Sequence, residues 1–353
     1  MQITKADVTP IELNLNQPVR MAGYPEINQV NTVFVRLQTK DGRDAWGCAV
    51  LPPDRTSEEI HDVLLACQKG ADLAPDLNPI NIEHSLAHLA QAIDDVPAAM
   101  CAFDLAFHDL LGLAAGLPLY RILGGYRNKM ITSATVYLGS VQESVEQAQM
   151  RASQGFRLLK IKGGLDPQED VRRVQAIRRS LPDLVLRLDA DGGYTVEQAL
   201  DVSRALGDHL EMIEQPTPAA DLNGMRQVTR HSPVPVLADQ SAEGPVSALE
   251  IANHRYADGL SVKVATCGGL RCARQMDAIA RVSHLTMMVS CVIEPALMIA
   301  AGLSFALSSP GIKYADLDGY LDIANDPTIP GFLMKDGWLI ATDVPGLGCR
   351  VEL

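Results

Sequence analysis

Short apolar runs rich in β-branched residues recur from residue 130 onwards, and each is followed by a polar or glycine-containing turn and a helical stretch. Each run predicts a strand, and the eight runs cover residues 130–139, 158–163, 184–191, 210–216, 234–241, 259–266, 285–292 and 312–319. Between the second and third runs, apolar residues recur at the spacing of an amphipathic helix, at Val171, Val174, Ile177 and Leu181. Eight such strand and helix units match the size of a closed parallel barrel.

The pattern before residue 130 is different. It predicts strands over residues 3–13, 32–39 and 46–50, and then helices that include a long apolar one over residues 98–113. We expect an α+β domain over residues 1–125 and an α/β barrel over residues 126–321. The remaining segment, residues 322–353, is rich in turns and short strand-like stretches, and we expect it to return to the first domain.

The composition argues against several classes of protein. With 353 residues, of which 47% are apolar, the chain can bury one large core or two moderate ones. Its net charge of −13 works against binding to nucleic acid or to an anionic membrane. The seven cysteines have no metal-binding spacing and fit buried thiols in the cytoplasm, and no apolar run reaches the length of a membrane span. We therefore expect a cytoplasmic protein whose partner is a small molecule, with no nucleic acid and no membrane.

Three acidic residues end three successive predicted strands, at Asp189, Glu214 and Asp239, and they are 25 residues apart. Since one strand and helix unit has about this length, the three carboxylates would lie side by side at one rim of the barrel. Carboxylates crowded together repel one another, and a hard divalent cation with oxygen ligands removes that repulsion. The triplet therefore predicts a Mg²⁺ site. For each acid taken alone, the alternative is a helix cap or an ion pair with arginine.

Lysines stand on the strands to either side of these acids. Lys160 and Lys162 end the preceding run, and Lys263 lies late in the following one. Strand alternation places Lys160 and Lys162 on one face, which here is the interior of the barrel. Burial and a nearby cation both push a lysine towards the neutral amine, which is a base. Because the strands of the three acids lie between them, we expect Lys162 and Lys263 to approach a bound substrate from opposite sides. A plain ion network with the same acids is the alternative.

This combination suits removal of a proton from the carbon next to a carboxylate. The resulting enolate carries a second negative charge, so a divalent cation on the carboxylate must stabilise it. Return of a proton to the opposite face by the second lysine gives epimerisation. Departure of a β-leaving group from the same enolate gives elimination.

The chain resembles the enolase superfamily, in its muconate-lactonizing branch, along nearly its whole length. The resemblance lies in AAMCAFDLAFHDLLGLAAGLPLYRILGG, KIK, LDADGGY, IEQP, LADQS, VKVATCGGL and the closing PGLG. It implies a modified TIM barrel of the (β/α)₇β type with an N-terminal α+β capping domain that the C-terminal tail completes. It also implies Mg²⁺ bound by Asp189, Glu214 and Asp239, and an acid/base pair formed by Lys162 and Lys263.

A further motif resembles one particular group of enzymes within this branch. YADLDG resembles the Asp-x-Asp element with which dipeptide epimerases of the superfamily hold the α-ammonium group of the substrate, here Asp316 and Asp318. Two acids on one face of a strand suit a cation, and capping of the following loop is the alternative. The resemblance also gives Lys160 a supporting electrostatic role. Asp191 replaces the usual Asn two residues after the first metal ligand.

Four other positions are candidate substrate contacts, because they lie at or near positions where members of the family bind substrate. Glu294 resembles the glutamate on the seventh strand. Tyr24 and Glu26 stand in a predicted loop over residues 21–31, which lacks the arginine that some Ala-Glu epimerases use, so an acidic second residue is not expected. Ile293 is apolar where members acting on cationic dipeptides can have an acid, so a strongly basic residue is not expected either.

These observations predict an isomerase, a Mg²⁺-dependent dipeptide epimerase that inverts an α-carbon through an enolate. The main alternative is a dehydratase, cycloisomerase or racemase of the same superfamily that acts on another carboxylate, such as an N-acylated or cyclic amino acid. Two other classes are a Schiff-base aldolase with Lys162 or Lys263 as nucleophile and a ligand-binding barrel without turnover. Homo-oligomers are common in the family, and the sequence leaves a homo-oligomer open.

Overall fold

Three antiparallel strands open the chain in the computed structural model, which describes residues 1–51, 57–93 and 96–353. They are β1 (Ile3–Val19), β2 (Ile27–Thr39) and β3 (Asp44–Val50), paired in that order. All three strands are predicted by the sequence, but β2 begins earlier than expected. Ile27 and Val30 are buried and pair with β1, so the predicted loop over residues 21–31 is a loop only as far as Glu26.

Within the described residues, four helices follow and pack on this sheet and on the barrel, and they are α1 (Ser57–Leu73), α2 (Ile82–Ala92), α3 (Pro97–Ala115) and α4 (Leu119–Leu123). The long apolar helix of the sequence pattern is α3, which begins with a proline and ends at Gly116, where φ is 67°. Gly47 lets β3 approach α3 closely, since a Cβ atom there would lie 1.8 Å from the Ala102 carbonyl oxygen. Among the described helices, α3 passes the length and hydropathy test for a membrane span, yet most of it is buried in the protein.

A short strand, β4 (Lys129–Ile131), precedes an eight-stranded barrel sheet in which each strand pairs in parallel with the next along the chain. The barrel strands are β5 (Ala134–Val136), β6 (Leu158–Lys162), β7 (Val185–Asp189), β8 (Ile213–Glu214), β9 (Val236–Ala238), β10 (Gly259–Lys263), β11 (Thr286–Ser290) and β12 (Ile312–Asp316). Each lies within one of the eight predicted runs. The predicted barrel is therefore confirmed.

Seven helices connect the barrel strands, which gives the (β/α)₇β order that the resemblance implies. They are α5 (Val141–Ser153), α6 (Pro167–Ser180), α7 (Val196–Leu206), α8 (Leu222–His231), α9 (Pro245–His254), α10 (Leu270–Val282) and α11 (Ala296–Ser308). Local sequence explains several helix starts. Ser140 and Thr195 form capping boxes, and the Asp166 carboxylate accepts hydrogen bonds from the first turn of α6.

The first predicted run, residues 130–139, is one strand in the sequence pattern and two in the structure. The division lies at Thr132 and Ser133, which bond to the last barrel strand rather than continuing the run. The Leu317 N–H donates to the Thr132 hydroxyl at 2.7 Å, and the Ser133 N–H donates to the Ala315 carbonyl at 3.3 Å. These bonds bring the first and last barrel strands together, so β4 leaves the barrel and pairs elsewhere.

The C-terminal segment forms four short strands, which are β13 (Thr328–Ile329), β14 (Phe332–Lys335), β15 (Trp338–Ala341) and β16 (Arg350–Val351). Strand β4 pairs with β15, and an isolated bridge joins Leu15 of β1 to Ile323. The Leu347 N–H also donates to the Asp109 carboxylate on α3 at 2.7 Å. The segment therefore returns to the N-terminal part, as predicted, while the domain limits at residues 125 and 321 stay a prediction.

Candidate active site

A cavity of about 580 Å³ lies where the N-terminal part meets the carboxyl ends of the barrel strands. Its floor includes Lys160, Lys162, Asp239 and Lys263 from the barrel. Its roof includes Met21 and Tyr24 from the loop after β1, together with apolar residues Val50, Leu51 and Val63. Active sites of parallel barrels lie at this end of the strands, where the loops that follow the strands surround them.

The three acids of the sequence pattern lie at the ends of neighbouring strands. Asp189 is the last residue of β7, Glu214 is the last residue of β8 and faces Asp189 in the register, and Asp239 directly follows β9. All three side chains are buried. The spacing of 25 residues therefore places the acids at one rim, as predicted.

These carboxylates are held by ammonium groups rather than gathered around a common point. Asp189 accepts a hydrogen bond from Lys162 at 2.9 Å, and Asp239 accepts one from Lys263. Glu214 differs, since its Oε1 atom is buried and has no hydrogen-bond partner. Within residues 1–51, 57–93 and 96–353, no group of three or more His, Cys, Asp or Glu side chains is arranged to hold a metal ion.

The three acids nevertheless offer the type of ligand atom that a hard divalent cation binds. It consists of carboxylate oxygens alone, which Mg²⁺ prefers, and the unpartnered Oε1 atom of Glu214 is available to a further positive charge. Burial and the neighbouring Asp189 raise the pKa of Glu214 to about 8, which reflects the crowding of negative charge at this point.

The three lysines enter from the two sides of the acid strands. Lys160 and Lys162 both lie on β6 with buried side chains, and Lys263 is the last residue of β10. Strands β7, β8 and β9 separate the two positions. Lys162 Nζ also lies 2.9 Å from both carboxylate oxygens of Asp191, so the acid that replaces the family's usual Asn contacts this lysine.

The charges of the protein itself shift all three lysines towards the charged amine, whereas the shift expected from the sequence includes a bound cation. Burial does lower the pKa of each lysine, but facing carboxylates outweigh it and raise the pKa of all three above the ordinary value. For Lys162 the main opposing charges are Asp189 and Asp191, and for Lys263 the main one is Asp239. In turn, these lysines outweigh burial at Asp189 and hold its pKa well below the usual range.

Asp316 and Asp318 occupy different surroundings, although the sequence pairs them. Asp316, the last residue of β12, is fully buried below the cavity and accepts hydrogen bonds from Lys160, Ser133 and Ser290. Asp318 lines the cavity and accepts a hydrogen bond from the Thr135 N–H at 2.6 Å. Of the two predicted contacts with an α-ammonium group, only Asp318 faces the cavity.

The remaining predicted substrate contacts divide in the same way. Tyr24 and Ile293 line the cavity. Glu26 is exposed at the end of the loop, and Glu294 is buried with its Oε2 atom unpartnered; neither lines the cavity. Burial raises the pKa of the Glu294 carboxyl to about 8.

Several lining residues were not predicted. Thr135 and Tyr137 follow one another at strand spacing in the first barrel run, so their alternation is a signal that could have found them. Gln240, next to Asp239, donates to Asp191 at 3.1 Å. Asp62 on α1 carries no local signal at all, because only the packing of the two parts of the chain brings it to the cavity.

Comparison with known proteins agrees with this fold. Residues 143–352 match the family described as enolase C-terminal domain-like, and residues 3–124 match the N-terminal domain of mandelate racemase and muconate lactonizing enzyme. The chain is 33% identical over 355 residues to the L-Lys-D/L-Arg epimerase of Desulforapulum autotrophicum, with 99% of each chain covered. It is 30% identical over 345 residues to the L-Ala-D/L-Glu epimerase of Clostridium acetobutylicum, with 96% of each covered.

A solved structure is similarly close. The dipeptide epimerase from Enterococcus faecalis V583, complexed with Mg and the dipeptide L-Leu-L-Tyr, superimposes with a TM-score of 0.95 at 30% identity, covering 99% of this chain and 100% of that one. A parallel barrel with strand-end acids and lysines under an α+β cap defines an enolase-type enzyme. The chain belongs to the enolase superfamily, in its muconate-lactonizing branch. Like these relatives it is an isomerase, and this argues against the Schiff-base aldolase and the binding barrel.

Proposed function

We propose that this enzyme is a Mg²⁺-dependent dipeptide epimerase in which Lys162 and Lys263 exchange protons with opposite faces of one α-carbon. The observation that carries the proposal is the placement of these two ammonium groups, on β6 and β10, with the three acid strands between them. A proton removed on one side can then be replaced from the other, which inverts the carbon. The names of the relatives, which are epimerases of dipeptides, support the same reaction.

Asp189, Glu214 and Asp239 would hold the metal, and the unpartnered Oε1 atom of Glu214 supports this assignment. Bound Mg²⁺ would supply positive charge that stabilises the enolate and offsets the carboxylates that now raise the pKa of the lysines. Lys160 would support the same negative charge from the floor of the cavity, where Asp316 holds its ammonium group.

Asp318 would bind the α-ammonium group of the dipeptide. Its orientation is fixed by Thr135, whose N–H and hydroxyl both donate to the carboxylate, at 2.6 and 3.3 Å. The carboxylate therefore presents its remaining acceptor positions to the cavity, where a charge-assisted hydrogen bond to an ammonium group is strong. Val50, Leu51 and Val63 roof the cavity and would exclude water from the reacting carbon.

The charge of the cavity argues against dipeptides with an acidic side chain. Glu59, Asp62 and Glu243 line its outer part, and within the described residues its only cationic lining groups are the three lysines of the floor. Ile293, Met21 and Tyr24 add an apolar surface. We therefore expect dipeptides with an acidic side chain to be poor substrates and dipeptides with apolar side chains to be accepted. Cytoplasmic location and a homo-oligomer stay predictions from the sequence.

The position of Asp316, away from the cavity, supports N-acylated amino acids as an alternative class of substrate. Because only Asp318 of the pair faces the cavity, a substrate with an acylated amine would lose one carboxylate contact rather than two. Racemisation of N-acylated amino acids by the same two lysines is therefore the second candidate. It predicts turnover of N-acetyl amino acids at rates that exceed those of free dipeptides.

The test is a library of L,L-dipeptides, their epimers and N-acetyl amino acids, incubated in D₂O with Mg²⁺ and read by mass spectrometry. We expect α-deuterium in dipeptides, with Lys162→Ala and Lys263→Ala each unable to epimerise and each losing exchange of one stereoisomer. Lys313→Ala, an exposed lysine on β12, is the matched control and should retain full activity. Normal epimerisation in either site variant would contradict the proposal.

A further inference from the structure

A charged pair lies buried directly beneath the end of β6. Arg173 and Asp170 stand on α6, with 1% and 2% of their surfaces exposed, and Arg173 Nη1 lies 3.0 Å from Asp170 Oδ1. A buried guanidinium is unfavourable unless its donors are satisfied. The proposed reaction does not use either residue, so their burial calls for another explanation.

Arg173 uses its remaining donors to hold the backbone of two residues that line the cavity. Nη1 donates to the Lys162 carbonyl at 2.6 Å, and Nη2 donates to the Tyr137 carbonyl at 2.9 Å. Nε donates to the hydroxyl of Ser144 at 2.7 Å. The guanidinium therefore ties the end of β6 to the segment that follows β5.

Asp170 holds the next peptide of the same turn. Its Oδ2 atom accepts hydrogen bonds from the Gly164 N–H at 2.8 Å and from the Tyr194 hydroxyl at 2.6 Å. This approach requires glycine at position 163, because a Cβ atom there would lie 2.9 Å from Asp170 Oδ2. The carboxylate and the guanidinium thus act on adjoining peptides.

We propose that Arg173 and Asp170 are positioning residues that fix the direction of the Lys162 side chain, an inference that rests on the proposed function of Lys162. The peptide between Lys162 and Gly163 is held on both sides, its carbonyl by Arg173 and its N–H by the Asp189 carbonyl at 2.8 Å. Without Arg173 the first restraint is lost. Any rotation of this peptide is amplified at Nζ, which lies at the far end of a flexible four-carbon stem.

The same helix offers a matched control. Arg178 on α6 also donates to three backbone carbonyls, those of Pro182, Leu184 and His209. These acceptors precede β7 and β8, at the opposite end of the barrel from the cavity. Arg178→Met therefore removes a comparable set of hydrogen bonds without touching the end of β6.

The experiment compares Arg173→Met with Arg178→Met, each assayed well below its melting temperature with separate stereoisomers of one dipeptide in D₂O. We expect Arg173→Met to lower kcat by about 10²-fold with KM little changed, since small misplacements of reacting groups have effects of this size. Deuterium uptake should fall most for the stereoisomer whose exchange also fails in Lys162→Ala. Arg178→Met should lose stability but keep the uptake of both stereoisomers.

Equal losses for both stereoisomers, or wild-type rates in Arg173→Met, would overturn the assignment. If Arg173→Met does not fold, Arg173→Lys is used instead, because it keeps the charge but cannot donate to the Lys162 and Tyr137 carbonyls at once. Deuterium uptake of the two stereoisomers is then compared in the same way. A crystal structure of the variant tests the placement without turnover. We expect Lys162 Nζ to leave hydrogen-bonding distance of Asp189, and an unmoved Nζ would refute the inference. Absence of exchange in the wild type would instead refute the proposed function, and the crystal structure would still decide the placement.

Discussion

The Asp104 carboxylate on α3 accepts a hydrogen bond from the N–H of Leu270, the first residue of α10 in the barrel. The N-terminus of α10 has no capping side chain from its own segment, and α3 of the N-terminal part supplies one. Gly269 makes room for this contact, because a Cβ atom there would lie 2.5 Å from Asp104 Oδ2. The His108 ring nitrogen Nδ1 lies 3.3 Å from the other carboxylate oxygen.

Asp104→Ala should therefore weaken the link between the two parts of the chain. We expect the free energy of unfolding to fall by about 2 kcal/mol, the upper range for loss of a helix cap. Urea unfolding can be followed at Trp46 in the N-terminal sheet and at Trp338, whose strand β15 pairs with β4 at the start of the barrel, each in a variant lacking the other tryptophan. The two transitions should separate.

Asp221→Ala removes a cap wholly within the barrel, where Asp221 accepts a hydrogen bond from Gly224 at 2.8 Å, and serves as the control. It should lower stability while the two tryptophan transitions stay coincident. Coincident transitions in Asp104→Ala as well would contradict a coupling role for the carboxylate.

A second buried acid makes stability depend on pH. Burial raises the pKa of Asp109 from 3.8 to about 7, although backbone N–H groups of Leu347 and Trp46 donate to it. The folded state therefore binds a proton that the unfolded chain has already released between about pH 4 and 7. In this window stability falls as pH rises, and below it the contribution of Asp109 is fully present.

Asp109→Asn should remove this dependence. We expect the difference in unfolding free energy between wild type and variant to change by up to about 1.4 kcal/mol per pH unit between pH 4 and 7, and to level off above pH 7. Urea titrations at half-unit intervals measure it. A difference that is constant across the window would show that the folded carboxyl is already ionised.

The barrel was predictable from the sequence because each strand carries a local signal. The run over residues 158–163 corresponds to β6 within one residue, since apolar residues and the following glycine mark both ends. The division of residues 130–139 was not predictable. It depends on hydrogen bonds that join Thr132 and Ser133 to Leu317 and Ala315, and no periodicity within the run indicates such distant partners.

Prediction of the site is limited in the same way, because it also depends on positions that no local pattern gives. Strand alternation predicts that Asp316 and Asp318 share one side of the last barrel strand, but β12 ends at Asp316, and alternation does not show where a strand ends or how deep a residue lies along the barrel axis. Asp316 is the last residue of the strand and lies against Lys160, whereas Asp318 lies beyond the strand and faces the cavity.

This difference in depth predicts different kinetic effects for the two aspartates. Asp318→Asn should raise KM for dipeptides by about 10-fold to 10²-fold, because it removes one charge-assisted hydrogen bond to the α-ammonium group. Asp316→Asn should mainly lower kcat, because it releases the ammonium group of Lys160. Steady-state kinetics on one dipeptide and its N-acetyl derivative separate the cases. A larger KM effect in Asp316→Asn would show that Asp316 contacts substrate.

Removal of the metal provides the last prediction, because Glu214 brings an unpartnered carboxylate oxygen to the rim between Asp189 and Asp239. EDTA should abolish deuterium exchange, and Mg²⁺ should restore it. Mg²⁺ should also stabilise the fold by about 2.7 kcal/mol at a concentration 100 times its Kd. In Glu214→Gln, which keeps the volume but loses the charge, we expect the wild-type fold with a much smaller rise of Tm on adding Mg²⁺. An unchanged Mg²⁺ response in this variant would exclude Glu214 from the metal site, whatever the effect on activity.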